Sequence, residues 1–432
     1  MKNKKTTVGI NASFIRKPNT GIGQVTLNFL RKLSELKVQN EKLKIILYLE
    51  EDLPKNIKLS KNFEKRIFLP MWKRDDLIRK IWWEKCLLPK KVKKDKCDVL
   101  FSLYQSTTVI ASEAKQSRDN LDNPNSAGLP RRSEDGTPRN DKCVHIMLVH
   151  DIIPKLFPEY LNNFRKKHYQ KLTERAIKST DKILAVSRRT EKDLIQHLGI
   201  EPEKITVNYI DIDEIYKNKP DEKKIAKVLK KYSAKGGSAS GGKLKPGYIL
   251  AGGGLEVRKN VEGVIRAYDY LYKRNKQENF IAEMPKLVVY GKLLPQLAPL
   301  VTDGEKLAKE LNLTKQIKFL DLTPQDDMPA LFSQAVMFVY PSHYEGFGMP
   351  PLEAMNMGVP TIISKSSSLP EVGGDGALYC HDDDIHDIAM VMKNVMLNKN
   401  LREMLSVRAK MQAGKFSWDK FTEKFLNIAK NV

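Results

Sequence analysis

Short aliphatic and β-branched runs alternate with amphipathic stretches from one end of the chain to the other. In the first half the runs are Thr6–Phe14, Lys44–Leu49, Arg66–Pro70, Asp98–Tyr104, Val144–Asp151, Lys182–Ser187 and Ile205–Ile210. In the second they are Tyr248–Gly253, Lys286–Lys292, Ile317–Asp321, Met337–Ser342 and Pro360–Ser364. Between them lie segments with apolar residues at helical spacing, such as Gly23–Leu33, Leu172–Thr180 and Thr190–Leu198. Near-continuous apolar strands alternating with helices predict parallel sheets covered on both faces. Two successive sets predict two Rossmann-like domains, and 432 residues are more than one core usually organises.

Two stretches break the pattern. Ser233–Gly247 is rich in glycine and serine, the composition of a flexible connection. It sets the expected division: a first domain over 1–220, a linker region over 221–247 and a second domain over 248–415. Residues 109–142 are polar and aperiodic between two convincing strands, and read as a disordered surface insertion. They also resemble the translated product of a small mobile palindromic repeat.

Composition narrows the function class. Apolar content of 41% and charged content of 29% suit a globular enzyme, and no apolar run is long enough to span a bilayer. The first residues are too polar for a signal peptide. Cys86, Cys97, Cys143 and Cys380 have no metal-site spacing, so a reduced, cytoplasmic protein is expected. The net charge of +23 admits three partners: nucleic acid, an anionic membrane face or phosphorylated substrates. Nucleic acid ranks last, since no recognition motif accompanies the scattered lysines. Trp72, Trp82 and Trp83 beside Lys90, Lys91, Lys93 and Lys94 suggest peripheral docking on an anionic membrane. The competing reading buries the tryptophans in the core and exposes only the lysines.

The strongest chemical signal is Met337–Ser364, MFVYPSHYEGFGMPPLEAMNMGVPTIIS. A strand ends near Ser342, a glycine loop follows, and a helix starts near Met349 with prolines in its first turn, where a missing N–H costs nothing. Gly346 and Gly348 let backbone approach a ligand closely, and a helix N-terminus attracts hydroxyls and phosphate oxygens. Glu345 lies in the loop and Glu353 on the helix, eight positions apart. Ligands of open parallel sheets bind at the carboxyl ends of strands, where this segment belongs.

This segment resembles the signature of glycosyltransferase family 4, the retaining glycosyl transferases group 1. The resemblance implies a GT-B fold: two Rossmann-like doubly wound α/β domains facing each other across a cleft. It places Glu345 at the reacting sugar, Glu353 at the ribose, and the backbone of Phe347, Gly348 and Met349 at the sugar hydroxyls. The segment Ala251–Tyr268, AGGGLEVRKNVEGVIRAY, resembles the family's opening of the second domain. There Gly253 approaches the donor, and Arg258 and Lys259 neutralise the diphosphate as it leaves. Many relatives carry an arginine where Gly254 stands, so one phosphate cation is expected to be missing. Gly21 and Gly23 match the N-terminal glycine loop, and His150 the strand-end histidine facing the donor sugar, with Asp151 anchoring its loop. Glu371, in SSSLPEVGG, is implied as a ligand or helix-capping group near the nucleotide. The closing segment 416–432 resembles the helix that packs back on the first domain.

The implied activity is transfer of a hexose, with mannose the best guess, from a nucleotide sugar such as GDP-mannose to a glycan or lipid-linked acceptor in surface polysaccharide synthesis. No cofactor and no metal are expected. The run His381–Asp384 reads as a capped helix start, and Arg258 with Lys259 replaces an ion. Two alternatives stay open: an inverting transferase, which needs a general base, and a catalytically impaired, membrane-associated scaffold.

Overall fold

The computed structural model describes residues 5–35, 43–54, 57–70, 76–110, 143–234 and 243–431. Trp72, residues 111–142 of the expected insertion and residues 235–242 of the expected linker lie outside the described residues. The chain divides into two compact units. One comprises Met1–Val186, Glu191–Asn208 and Trp418–Val432; the other comprises Ser187–Thr190 and Tyr209–Ser417.

The first unit carries a seven-stranded sheet in the order β3-β2-β1-β4-β5-β6-β7. Its strands are β1 (Thr6–Asn11), β2 (Leu43–Leu49), β3 (Phe63–Ile67), β4 (Val99–Ser102), β5 (Val144–Val149), β6 (Lys182–Ala185) and β7 (Ile205–Val207). All pairings are parallel, with Val8 opposite both Ile45 and Val99. Parallel strands need helical crossovers, and their central members are buried on both faces, which explains the nearly continuous apolar runs of β2 and β5, broken only by Lys44 and His145. The edge strand β3 lies three residues earlier than the Arg66–Pro70 reading. Phe68 leaves the sheet there and stacks on Trp83, ring centroids 5.1 Å apart, while its carbonyl accepts from Trp83 Nε1 at 3.1 Å.

Trp83 is fully buried and Trp82 is 39% exposed. The two lie where a helix (Asp76–Trp82) passes into a π-helical turn (Trp83–Leu87) and then into a second helix (Leu88–Lys94). The wider turn brings two consecutive residues inward, and Glu84 is as buried as Trp83. For Trp83 the core reading therefore prevails over the interfacial one.

The second unit carries a six-stranded parallel sheet in the order β10-β9-β8-β11-β12-β13. Its strands are β8 (Tyr248–Gly252), β9 (Leu287–Tyr290), β10 (Ile317–Leu320), β11 (Ala335–Tyr340), β12 (Thr361–Ser364) and β13 (Leu378–Cys380). The three-residue β13 was not among the sequence-predicted strands; it is too short to show a period. One core cluster runs from Ile249 through the helix Val261–Glu278 to Met392 and Leu405.

The division between units falls after Asn208, earlier than the 221–247 stretch. Glu222–Ala234 in that stretch is a helix of the second unit. It buries Ile225, Val228 and Tyr232, and Tyr232 donates its hydroxyl to Asp327 at 2.9 Å. An amphipathic helix with a face to bury joins the nearest core. The closing helix Trp418–Lys430 belongs to the first unit, where Phe421 and Phe425 meet Phe29 edge-on at 5.6 and 5.5 Å and Phe425 stacks on Phe101. Each such ring contributes about 1.5–3 kcal/mol by burial.

Candidate active site

In the second unit, β8 and β11 are neighbours at the point where the strand order reverses, so the loops after them share one end of the sheet. After β8 come Gly252, Gly253 and Gly254, at φ of +134°, +96° and +128°. These are conformations that L side chains rarely adopt. A Cβ on Gly253 would press on Pro350, and one on Gly254 would run into the Glu256 carboxylate and the Lys259 ammonium. The loop is bare because backbone and charged side chains converge there.

A single 3-10 turn, Val257–Lys259, then presents both cations. Asn260 terminates it in the left-handed region and caps the following helix, its side chain accepting from Gly263 N. Arg258 donates from Nη1 to Glu345 Oε1 at 2.7 Å and to the Tyr344 carbonyl at 2.8 Å. Both partners of this ion pair are largely buried, at 11% and 12% exposure. Burial opposes the Arg258 charge, but the adjacent Glu345 outweighs it, and the guanidinium is held more firmly protonated than usual. Lys259 donates to the Gly253 carbonyl, and its Nζ lies 3.7 Å from Glu256.

Glu345 Oε1 also accepts from the Tyr340 hydroxyl at 2.7 Å and from Ser342 Oγ at 3.3 Å. Its backbone N donates to Ser367 Oγ at 2.9 Å, and Ser368 Oγ donates to the carbonyls of Glu345 and Phe347. Gly348, at φ +114°, opens the helix Met349–Asn356, with prolines in its first turn as the motif implied. The Phe347 ring packs against Tyr209 and Phe416. Glu353 of this helix is buried, and burial raises its carboxyl to about 7, against weaker stabilisation from Gln325 and Tyr216. The Tyr290 hydroxyl is buried with no hydrogen-bond partner among the described residues.

Tyr340, Ser342 and Ser367 around Glu345, and Gln325, Tyr216 and Tyr290 around Glu353, had not been singled out. Tyr340 and Ser342 stood inside the motif itself. Ser367 stood in the SSSLPEVGG segment quoted for Glu371, and Gln325, Tyr216 and Tyr290 come from distant segments with no local signal.

Of the two roles implied for Glu371, ligand or helix cap, the structure shows the cap. Its two oxygens accept from the backbone N–H groups of Arg188 and Arg189, both at 2.8 Å, and Oε2 also takes the Tyr209 hydroxyl. It thus caps the helix Arg188–Leu198, a favourable place for a carboxylate. Ser187, at the head of that helix, donates to the Gly346 carbonyl at 2.6 Å, which ties down the glycine loop.

The acidic run behaves as a helix start: Asp384 accepts from His386 N and Asp387 N. Asp382 accepts from Ser366 Oγ and pairs with His343 Nδ1 at 2.7 Å. His343, Asp382 and the exposed Asp383 nevertheless offer ligand atoms within 4.8 Å of one another.

In the first unit, Gly23 lies in the first turn of the helix Gly21–Glu35, close against the Lys17 carbonyl, whereas Gly21 faces open space. His150 follows β5. Its Nε2 lies 3.0 Å from the Leu103 carbonyl, and since a carbonyl only accepts, that nitrogen carries the proton. Burial lowers the imidazole to about 4, which makes it neutral at pH 7. Asp151 anchors its loop by accepting from Ile153 N.

Two parallel-sheet α/β units, one of seven strands and one of six, make the GT-B architecture of glycosyltransferases. The fold is that of Anabaena Alr3699/HepE, solved in complex with UDP and glucose: TM-score 0.66 and 15% identity over 99% of this chain and all of that one. Residues 238–412 match Glycosyl transferases group 1 and residues 136–213 match Glycosyltransferase Family 4. The chain belongs to this glycosyltransferase family. It is 29% identical to O-antigen chain mannosyltransferase B of Escherichia coli, over 66% of this chain and 70% of that protein. It is 31% identical to the serotype-specific mannosyltransferase WbdA of Escherichia coli, again over 66% of this chain, but spans only 32% of that longer protein.

Proposed function

We propose that this protein is a retaining, metal-independent transferase that moves mannose from GDP-mannose to a glycan or lipid-linked acceptor in surface polysaccharide synthesis. The observation that carries the reading is the Arg258–Glu345 pair beside Lys259 at the carboxyl ends of β8 and β11. The names of the O-antigen relatives support mannose. In this reading the donor binds the second unit and the acceptor the first. The bond from C1 to the β-phosphate oxygen breaks with its electrons passing to that oxygen, and Arg258 and Lys259 stabilise the growing charge. The acceptor oxygen bonds C1 on the face the phosphate leaves, and its proton passes to the departing phosphate. Glu345 faces the developing positive charge at C1, and Glu353 holds the ribose.

Incubation with GDP-mannose and a mannose-terminated acceptor, followed by NMR of the product anomer, tests it. An α-linked product from the α-linked donor is expected. A β-linked product would replace it with the inverting alternative, and dependence on an added divalent ion would shift attention to His343 and Asp382.

The same proposal puts the enzyme at an anionic membrane face. Among the described residues no helix is long and apolar enough to cross a membrane. With Trp83 in the core, the supporting features are Trp82, Lys90, Lys91, Lys93 and Lys94, and the helix Phe164–Ser179, whose Phe164 is 81% exposed ahead of Arg165, Lys166 and Lys167. Each cation near such a surface is worth about 1 kcal/mol. Sedimentation with anionic vesicles at low salt tests it, and a protein left in the supernatant would end the idea.

A further inference from the structure

The helix Lys399–Ala413 of the second unit carries two apolar faces, and the fold uses one of them. Leu405, Ala409 and Ala413 are buried, with Leu405 in the core cluster of that unit. Gln412 is buried beside them and donates from Nε2 to the Val372 carbonyl at 3.2 Å. On the opposite side Met404, Val407 and Met411 are 40%, 61% and 70% exposed. Spacings of three and four residues set these three in one stripe along the helix. Single exposed apolar side chains are ordinary on a protein surface. A stripe at helical spacing, on the side of the helix that the core does not need, marks a surface for a partner.

The charges beside the stripe select that partner. Arg408 flanks it on one side and Lys410 on the other; both are exposed, and neither meets a carboxylate among the described residues. The sequence holds no acidic residue between Glu403 and Asp419, and Glu403 is paired with Lys399 at 3.7 Å. When two helices pack along such a seam, apolar residues fill it and the charges on its flanks choose the partner. A second copy of this chain would set Arg408 and Lys410 against like charges in either orientation, which is unfavourable. Helices that lie in a lipid surface present Trp, Phe or Leu to it, whereas this stripe offers two methionines and a valine. Methionine is unbranched and adaptable, a residue of protein-binding surfaces.

We propose that the outer face of Lys399–Ala413 docks an amphipathic helix of a partner protein, whose apolar residues cover Met404, Val407 and Met411 and whose acidic residues pair with Arg408 and Lys410. None of the residues assigned above to sugar transfer lies on this helix, so the surface is separate from the donor site.

The test is fluorescence anisotropy of the full chain with a synthetic amphipathic peptide of about three heptads, leucine along its seam and glutamate on its flanks. A companion peptide carries lysine in place of the glutamate. The glutamate peptide should bind, and the lysine peptide should bind at least about tenfold more weakly. Val407→Asp should weaken the glutamate peptide about tenfold, the loss expected from one valine no longer buried. Arg408→Glu combined with Lys410→Glu should reverse the preference between the two peptides, a result that damage to the fold does not produce. No binding of the glutamate peptide, or equal affinity for both, would overturn the proposal, as would binding untouched by Val407→Asp. Binding to phosphatidylglycerol vesicles that Val407→Asp abolishes would give the stripe to lipid, and a wild-type dimer that the same change dissociates would give it to a second copy; either result overturns the proposal. Should Val407→Asp lower the unfolding midpoint, Met411→Gln is read by the same criteria.

Discussion

Arg258 and Glu345 come from segments 87 residues apart and meet at 2.7 Å, each nearly out of solvent. The pair holds the carboxylate at the strand end and keeps the guanidinium charged. A buried pair of this kind costs about 3–5 kcal/mol when one partner alone is removed, since the other charge is left uncompensated. Glu345→Gln keeps an acceptor oxygen for Arg258 but not the charge, so its unfolding midpoint is measured beside its turnover. Glu345→Gln should lower turnover about a hundredfold, as expected for loss of charge facing a developing cation, and leave donor affinity little changed. Turnover equal to wild type would remove Glu345 from the chemistry.

Glu353 should make stability depend on pH in a particular direction. Its carboxyl sits at about 7 in the folded chain against 4.5 for a free one, so the folded state holds the proton more tightly. Its contribution is fully present below about pH 4.5 and is lost as pH rises through about 7. Glu353→Gln, neutral throughout, should gain stability relative to wild type as pH rises from 5 to 7 and level off above it. The full difference is about 3 kcal/mol by linkage. A pH-independent gap between the two unfolding curves would mean that the carboxyl is not buried uncharged.

The family resemblance implied an arginine at the place of Gly254, but at φ +128° this is not a vacant position awaiting that side chain. Gly254→Arg should destabilise the protein by about 1–3 kcal/mol and weaken donor binding, because the backbone must leave a region only glycine enters readily. The variant's unfolding midpoint and nucleotide affinity, measured together, check this; tighter binding without loss of stability would show that the loop adapts.

The chain between β4 and β5 should be replaceable. Ile110 and Cys143, which flank residues 111–142, both pack on the cluster containing Trp83 and Leu88, and β4 and β5 are adjacent in the sheet. A short Gly/Ser link in place of 111–142 should leave the unfolding midpoint within a few degrees of wild type and preserve transfer. A soluble but inactive product would show that the segment serves the site.

The sequence alone determined the two-layered alternation, the parallel sheets and the E-x7-E loop, because these are written in local period and in adjacent residues. The glycine loop and the Val257–Lys259 cations were legible for the same reason: one turn carries them. What tertiary structure decided was which groups share a site. Tyr340 and Ser342 were in plain view, yet only the end of β11 turns them onto Glu345. Gln325 and Tyr216 reach Glu353, and Ser367 reaches the Glu345 backbone, through contacts no sequence window spans. Glu371 was legible as a capping carboxylate, but the helix it caps lies 183 residues away.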